Sequence, residues 1–357
     1  MKKIDIYILK KFLGSFFYIM SLVMAVTVVI DISEKVDNFI RAGSSFLEIV
    51  DYYTAFIPYM AATLGPFFVL VSVIFFTSKL AYKSEVISIL GSGVSYYRFL
   101  YPYVLGAFII FTLQFVGNHY LVPKADKKRL AYEDVVIHKS RTRYSHDIHR
   151  QLKPGVFVYL ERFSGRDSTG TKFSYEEFVD GELKYKLRAN RIKWLPEEKT
   201  WQLESYVERT YKEEYEVVKN GKVKKMKVDI PPKEFIRRNS VKEEMTTPEL
   251  NEYIAEIKVS GADKIGYLLI EKYQRTSAAF SIFILSIMGA GIASRKVRGG
   301  RGWHLVLGIA LSALYEIVTK FSITFTLNAD LPAIVSVWIP NLIFAIATIY
   351  IVKTTPK

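Results

Sequence analysis

The chain has 357 residues, half of them hydrophobic and 15% aromatic, carries a net charge of +14 and contains no cysteine. The lack of cysteine excludes disulfides, cysteine-ligated zinc and a thiol nucleophile. The basic residues are not gathered with stacking aromatics on one soluble module, so they do not point to nucleic acid. The apolar residues come in long blocks with charged stretches between them. About 20 apolar residues cross a membrane core of roughly 30 Å, and a basic membrane protein facing acidic lipid accounts for both blocks and charge.

The first apolar block, residues 12–30, follows Lys2, Lys3, Lys10 and Lys11. It is too long for a signal peptide and no small-x-small cleavage site follows it, so it reads as a span. A second span covers 56–77 and contains Pro58 and Pro66, tolerated because neighbours in a membrane can satisfy the freed carbonyls. A third covers 99–117, and the last three cover 276–293, 305–327 and 333–352. Loop charges orient them. The first loop holds Asp31, Glu34, Asp37, Glu48 and Asp51 against Lys35 and Arg41. The second carries Lys79, Lys83 and Arg98, and the loop after the fourth span carries Arg295, Lys296, Arg298 and Arg301. Basic loops belong in the cytoplasm, which predicts both termini inside and residues 119–275 outside. Tyr52, Tyr53, Tyr96, Tyr97, Tyr101, Tyr103, Trp303 and Trp338 fall near span ends, where an aromatic belt is expected.

The segment between the third and fourth spans changes character. Val156, Val158 and Leu160 alternate with Phe157, Tyr159 and Glu161, the pattern of a half-buried strand. Asp180-Gly181 suits the tight turn of a hairpin. Trp194 and Trp201 flank a second turn at Pro196-Glu197-Glu198-Lys199, and Asn220-Gly221 reads as a third. Several strands at short spacing predict a sandwich or jelly roll. After Pro231-Pro232 the pattern turns helical: Thr247 as cap, Pro248 at the first helical position, a helix over 249–259 and Gly261 at its end. A further helical stretch, 264–275, leads into the fourth span. The fold class is therefore an α-helical membrane protein of six spanning helices with an inserted extracytoplasmic all-β, jelly-roll-like domain. The divisions fall at 1–118, 119–245, 246–275 and 276–357.

No GxxxxGK[ST] phosphate loop occurs, so the chain is not expected to hydrolyse ATP alone. His146 and His149 are three apart, but no third ligand accompanies them and a solvated loop is the better reading than a metal site. Nothing in the spacing of the outer glutamates selects a catalytic pair. Glu316 and Lys320 lie inside the fifth span, four apart and on one helix face, where they can pair. Such intramembrane charges serve either function or helix association. In the second loop, Ser84 to Leu90 forms a short amphipathic stretch stopped by Gly91-Ser92-Gly93. It is either an interfacial helix on lipid headgroups or a helix that docks into a cytoplasmic partner.

Val36-Asp37-Asn38 with Arg41-Ala42-Gly43, Ser84-Glu85-Val86 with Gly91-Ser92-Gly93, Met245-Thr246-Thr247-Pro248-Glu249-Leu250 with Tyr253-Ile254, and Glu271-Lys272-Tyr273-Gln274-Arg275 occur in an order that resembles the LptF/LptG permeases of the lipopolysaccharide exporter over nearly the whole chain. The first loop is more similar to LptG than to LptF. The resemblance implies a non-catalytic permease subunit of an ABC transporter that extracts lipopolysaccharide from the inner membrane. It implies three kinds of protein partner: a second permease of the LptF type, an LptB-like cytoplasmic ATPase dimer, and an LptC-like single-span protein with a periplasmic bridge toward the outer membrane. ATP and magnesium would sit on the ATPase, with no cofactor in this chain. Residue by residue, Glu85 matches the coupling-helix glutamate, and Gly91 and Gly93 the turn behind it. Arg41 matches a basic position near lipid phosphates, where a guanidinium fork suits the ligand. Glu316 falls where LptG members can carry an acid. A lysine expected late in the first span is Glu34 here, with Lys35 beside it, and Lys127, Lys128 and Arg129 supply charge after the third span. Two other functions are compatible with the residues alone. One is a secondary transporter using the Glu316–Lys320 pair, although its broken helices fall in one half only. The other is a membrane-anchored receptor or scaffold, which needs fewer spans.

Overall fold

In the computed structural model the first helix, α1, runs over Lys3–Ala42, about 60 Å at 1.5 Å per residue. Residues 31–42, read from sequence as a loop, continue this helix. Asp31, Glu34, Lys35 and Arg41 therefore project from helical turns. Gly43, at φ 67°, ends α1, because a left-handed residue lets the next N–H groups cap the last carbonyls. Ser45 and Glu48 then cap each other's backbone N–H groups and start α2 (Phe46–Thr63). The second span is thus broken at Leu64, and α3 (Gly65–Tyr82) carries it on. The described residues are 2–136, 144–165, 167–212, 215–228, 230–235, 241–259, 265–295, 300–329 and 331–355. The expected helix stop at Gly261 and the basic residues Lys296 and Arg298 lie outside them.

The break has a local cause. Pro66 has no N–H to give to the carbonyl of Ala62, four residues back. The Gln114 side-chain amide donates to that carbonyl instead, at 2.6 Å. Position 65 must be small, since a Cβ there would lie 2.6 Å from the Gln114 oxygen. A short α4 (Glu85–Gly91) follows α3, and α5 (Tyr96–Val116) forms the third span. Its end loosens into a π-helical turn, Gly117–Leu121, before α6 (Val122–Val136). The first part of the stretch read as β domain is therefore helical. The π turn aims buried His119 at two hydroxyls: Nδ1 lies 2.8 Å from Thr247 Oγ1 and Nε2 3.3 Å from Thr276 Oγ1.

After the sheet come α7 (Pro232–Phe235), α8 (Val241–Glu244) and α9 (Thr247–Val259). The cap of α9 is Thr246 rather than Thr247. Its N–H and hydroxyl both donate to Glu249, each at 2.7 Å, and these bonds hold the Glu249 carboxyl below the usual range. Thr247 is one step inside, which frees its hydroxyl for His119 and for Arg275, 3.2 Å away. The last three spans are α10 (Gly266–Ala293), α11 (Gly300–Asn328) and α12 (Ala333–Thr354). In all, six helices of the described residues are long and apolar enough to cross a membrane. α3 and α10 lie at the centre, with 78% and 61% of their apolar windows buried, whereas α1 buries 11% and α11 22%. A buried polar tie joins α10, α11 and α12: Tyr315 donates to Asn341, and Asn341 donates to the Ser277 carbonyl at 2.9 Å.

The chain divides into two compact units, Met1–Glu133 with Glu243–Leu250 and Gly266–Lys357, and Asp134–Lys242 with Asn251–Ile265. The second holds one antiparallel sheet of six strands, β1 (Tyr144–Lys153), β2 (Val156–Ser164), β3 (Thr169–Val179), β4 (Glu182–Leu195), β5 (Thr200–Tyr211) and β6 (Glu216–Met226), paired in chain order. Two of the expected turns are present. Asp180 and Gly181, at φ 52° and 83°, form the tight hairpin between β3 and β4, and Trp194 pairs with Trp201 across the next. The third is not a turn: Asn220 and Gly221 lie inside β6, opposite Val207 and Tyr206. Gly221 serves close approach there, since a Cβ would meet the Tyr206 ring at 2.8 Å. His149 lies exposed on β1 with its ring 4.6 Å from that of Tyr159, so the histidine stretch is a strand rather than a loop.

A line of skipped pairs crosses every strand, through Asp147, Glu161, Lys172, Asn190, Ser205 and Lys222. Lys172 and Ser205 on it have positive φ. Along a flat strand inward residues recur every second position. At this line they are three apart: Leu160 and Phe163, Ala189 and Ile192, Leu203 and Tyr206. Every strand carries the extra residue, so the register survives while the sheet creases. Both sides of the crease then feed one core around Phe173, Leu187 and Trp201. The jelly-roll-like module is thus a creased meander.

Two outcomes follow. Gln114→Leu removes the side-chain donor to the Ala62 carbonyl and should lower stability by about 1–3 kcal/mol, read as a lower unfolding midpoint in detergent. Gly221→Val should lower the stability of the sheet, whereas a value unchanged from the parent would mean that Asn220-Gly221 is not paired in β6.

Candidate functional site

Two clusters of side chains in the membrane unit stand out from their apolar surroundings. The first surrounds α4. Ser84 takes a left-handed φ of 60°, turning the chain sharply out of α3 so that α4 begins at once with Glu85. Val86, 1% exposed, anchors α4 to the bundle core, while Ile87 is 57% exposed on its free side. Gly93, at φ 87°, makes the return turn; Gly91 is the last helical residue and has open space around it. The Glu85 carboxylate accepts a hydrogen bond from Tyr7 of α1 at 3.0 Å. Beside it, buried Asp5 pairs with Arg98 of α5 at 2.5 Å. The start of α1, α4 and the start of α5 are therefore tied by polar contacts, with Lys79 and Lys83 exposed around them.

The second cluster joins α1, α2 and α6. Lys35 Nζ lies 2.8 Å from Asp31 and 3.4 Å from Glu133, and donates to the Tyr52 hydroxyl at 2.5 Å. Tyr52 in turn donates to Glu133 at 2.9 Å, and Tyr53 to Asp31 at 2.9 Å. Arg129, 8% exposed, donates to Asp126 at 2.7 Å and reaches both oxygens of Glu133 at 3.2 Å. Its guanidinium lies 4.1 Å over the Tyr59 ring. The rings of Phe39, Tyr52, Tyr53, Phe56 and Tyr132 pack around these groups and leave them only partly exposed, which strengthens each pair.

The five basic residues read from sequence as lipid ligands thus fall into two sets. Lys35 and Arg129 are inside this network, each held by carboxylates. Arg41, Lys127 and Lys128 are exposed, with Lys128 at 3.7 Å from Asp51. Lys124, which the sequence reading missed, shares a face of α6 with Lys127 and Lys128. Asp126, Glu133, Tyr52 and Tyr59 were missed as well. The spacing Asp126, Arg129, Glu133 is that of helical ion pairs and was readable; the contribution of α2 was not. Glu316 and Lys320 lie one turn apart on α11, but no ion pair closes between them among the described residues. Between α1, α2 and α5 a cavity of about 190 Å³ is lined by Phe16, Met20, Pro58, Ile110 and Leu113 among others. It is apolar apart from Gln114 and Asn118.

Six apolar helices among the described residues, with an inserted antiparallel sheet, define a multi-pass membrane protein. Residues 6–354 match the model of the lipopolysaccharide export system permease LptF/LptG family, and the chain belongs to that family. No curated protein matches it. Membership makes it a permease of lipopolysaccharide export and a protein of the inner membrane.

Replacing Arg129 by Met would leave Asp126 and Glu133 facing each other without their shared cation. A loss of about 3–5 kcal/mol is expected, measured as thermal unfolding of the purified protein, with Arg129→Lys recovering only part because it cannot span both carboxylates.

Proposed function

We propose that this chain is the LptG-type transmembrane subunit of an ATP-driven exporter that lifts lipopolysaccharide out of the inner membrane and passes it to a periplasmic bridge. The observation that carries this reading is the family match over residues 6–354. ATP and magnesium belong to a separate LptB-like ATPase dimer. A second permease of the LptF type completes the cavity, and an LptC-like single-span protein begins the bridge. The sparse burial of α1 and α11, 11% and 22% of their apolar windows, supports a partner: apolar helix faces left open within one chain suit packing against another. Both termini and α4 lie in the cytoplasm and the sheet in the periplasm, in keeping with the basic residues at the α4 end.

In this reading α4 is the coupling helix. Val86 fixes it to the bundle, and Glu85 and Ile87 face the ATPase. Movement of α4 reaches α1 through Tyr7 and Asp5. The apolar groove between α1, α2 and α5 takes acyl chain, while Lys35, Arg41, Lys127, Lys128 and Arg129 supply charge for phosphates. ATP binding drives export only if it favours the closed cavity over the open one.

Glu85→Lys should reduce co-purification of the ATPase while leaving membrane insertion intact; unchanged co-purification contradicts the coupling role. Arg41→Ala should weaken lipopolysaccharide binding more at low than at high salt, because exposed charge attraction is screened within about 10 Å at 0.1 M. A loss independent of salt would assign Arg41 to packing.

A further inference from the structure

Lys35 and Arg129 are not free to receive a phosphate as they stand. Glu133 reaches both: its Oε1 is 3.4 Å from Lys35 Nζ, and its two oxygens are each 3.2 Å from Arg129 Nη1. The same Oε1 also accepts from Tyr52. One carboxylate on α6 thus gathers the donors of three helices, in the manner of a phosphate bound by two cations and a hydroxyl. Among the described ion pairs, two cations, Lys35 and Arg129, meet three carboxylates, Asp31, Asp126 and Glu133. A phosphate monoester, itself −1.5 to −2, is repelled while Glu133 remains. Asp31 and Asp126 are each tied to one cation within their own helix, at i,i+4 and i,i+3. Glu133 is the carboxylate that bridges α6 to α1. The cluster also holds an unspent donor: the buried Tyr132 hydroxyl, whose ring is 5.2 Å from that of Tyr52, has no hydrogen-bond partner among the described residues.

We propose that Glu133 is an internal stand-in for the lipid phosphate, occupying Lys35 and Arg129 until a phosphate of the exported lipid displaces it. This rests on the reading of Lys35 and Arg129 as phosphate ligands and names what regulates them. Displacement removes the α1–α6 bridge, so α1 is held when the site is empty of lipid and released when phosphate enters. A lipid without phosphate cannot make the exchange, which makes Glu133 a specificity-determining residue. The phosphate has the differential interaction with the two states that a ligand-driven change requires.

The test uses the full-length protein, purified with its co-eluting subunits in nanodiscs, and two probes, bisphosphorylated lipid A and its phosphate-free analogue. Glu133→Gln removes the competing charge and should tighten binding of the bisphosphorylated probe by about threefold to tenfold, with the phosphate-free probe unchanged. Lys35→Gln should abolish the preference between probes. If Glu133→Gln leaves the preference as it was or lowers it, while Lys35→Gln still removes it, Glu133 is a structural bridge and the inference fails alone. If Lys35→Gln and Arg129→Gln both keep the preference, the phosphate reading fails and the inference with it. Should Glu133→Gln not fold, Glu133→Asp, which keeps the charge but shortens its reach to Lys35, should raise the same preference by a smaller factor; no rise overturns the proposal.

Discussion

A backbone carbonyl inside a membrane has no water to turn to, and each one left open costs several kcal/mol. That constraint decides where these helices can break. Pro66 opens the second span by withholding its N–H, and the gap survives because Gln114 supplies the donor and Gly65 leaves room for it. The same α5 side chain reaches Asn118, which donates to the carbonyl of Arg275 on α10. A single chain of side-chain amides thus repairs one helix and holds the π turn at the end of another against α10. His119 in that turn then meets Thr247 and Thr276, so the start of α9 is fixed to the membrane helices by the same repair.

Charge is handled by a similar economy. Among the described residues of the membrane unit, the buried cations are met by carboxylates on their own helix, Arg129 by Asp126 and Glu133 and Arg275 by Glu271, and the buried carboxylate Asp5 is met by the half-exposed Arg98. Exposed cations, Arg41 and Lys127 among them, have no such constraint and keep their charge for solvent or lipid. The +14 of the whole chain therefore overstates what is available to a ligand.

Much of the architecture was legible in the sequence. Long apolar runs give spans because length and composition are enough to cross a bilayer, and the alternation of Val156, Val158 and Leu160 gives β2 because period two is the signature of one buried face. The failures share a cause. Residues 31–42 look polar, yet they are helical because tertiary ion pairs and aromatic packing from α2 and α6 satisfy them. Asn220-Gly221 looks like a turn, yet glycine was selected by the Tyr206 ring lying over it. Lys35 and Arg129 read as free cations because their partners come from two other helices, and only the Asp126–Arg129–Glu133 spacing announced one of them. Contacts distant in sequence leave little trace in a local pattern, and the skipped ladder positions that crease the sheet leave none until six strands are lined up.

Export by a multi-subunit complex is tested most directly by what travels with the chain. The tagged protein would be purified from its native membrane in mild detergent, and the co-eluting proteins and lipids identified by mass spectrometry. A second six-span permease, a cytoplasmic ATPase and bound lipopolysaccharide are the expected companions. An intact chain recovered alone and without lipopolysaccharide, under conditions that keep other membrane complexes together, would contradict the assignment as an exporter subunit.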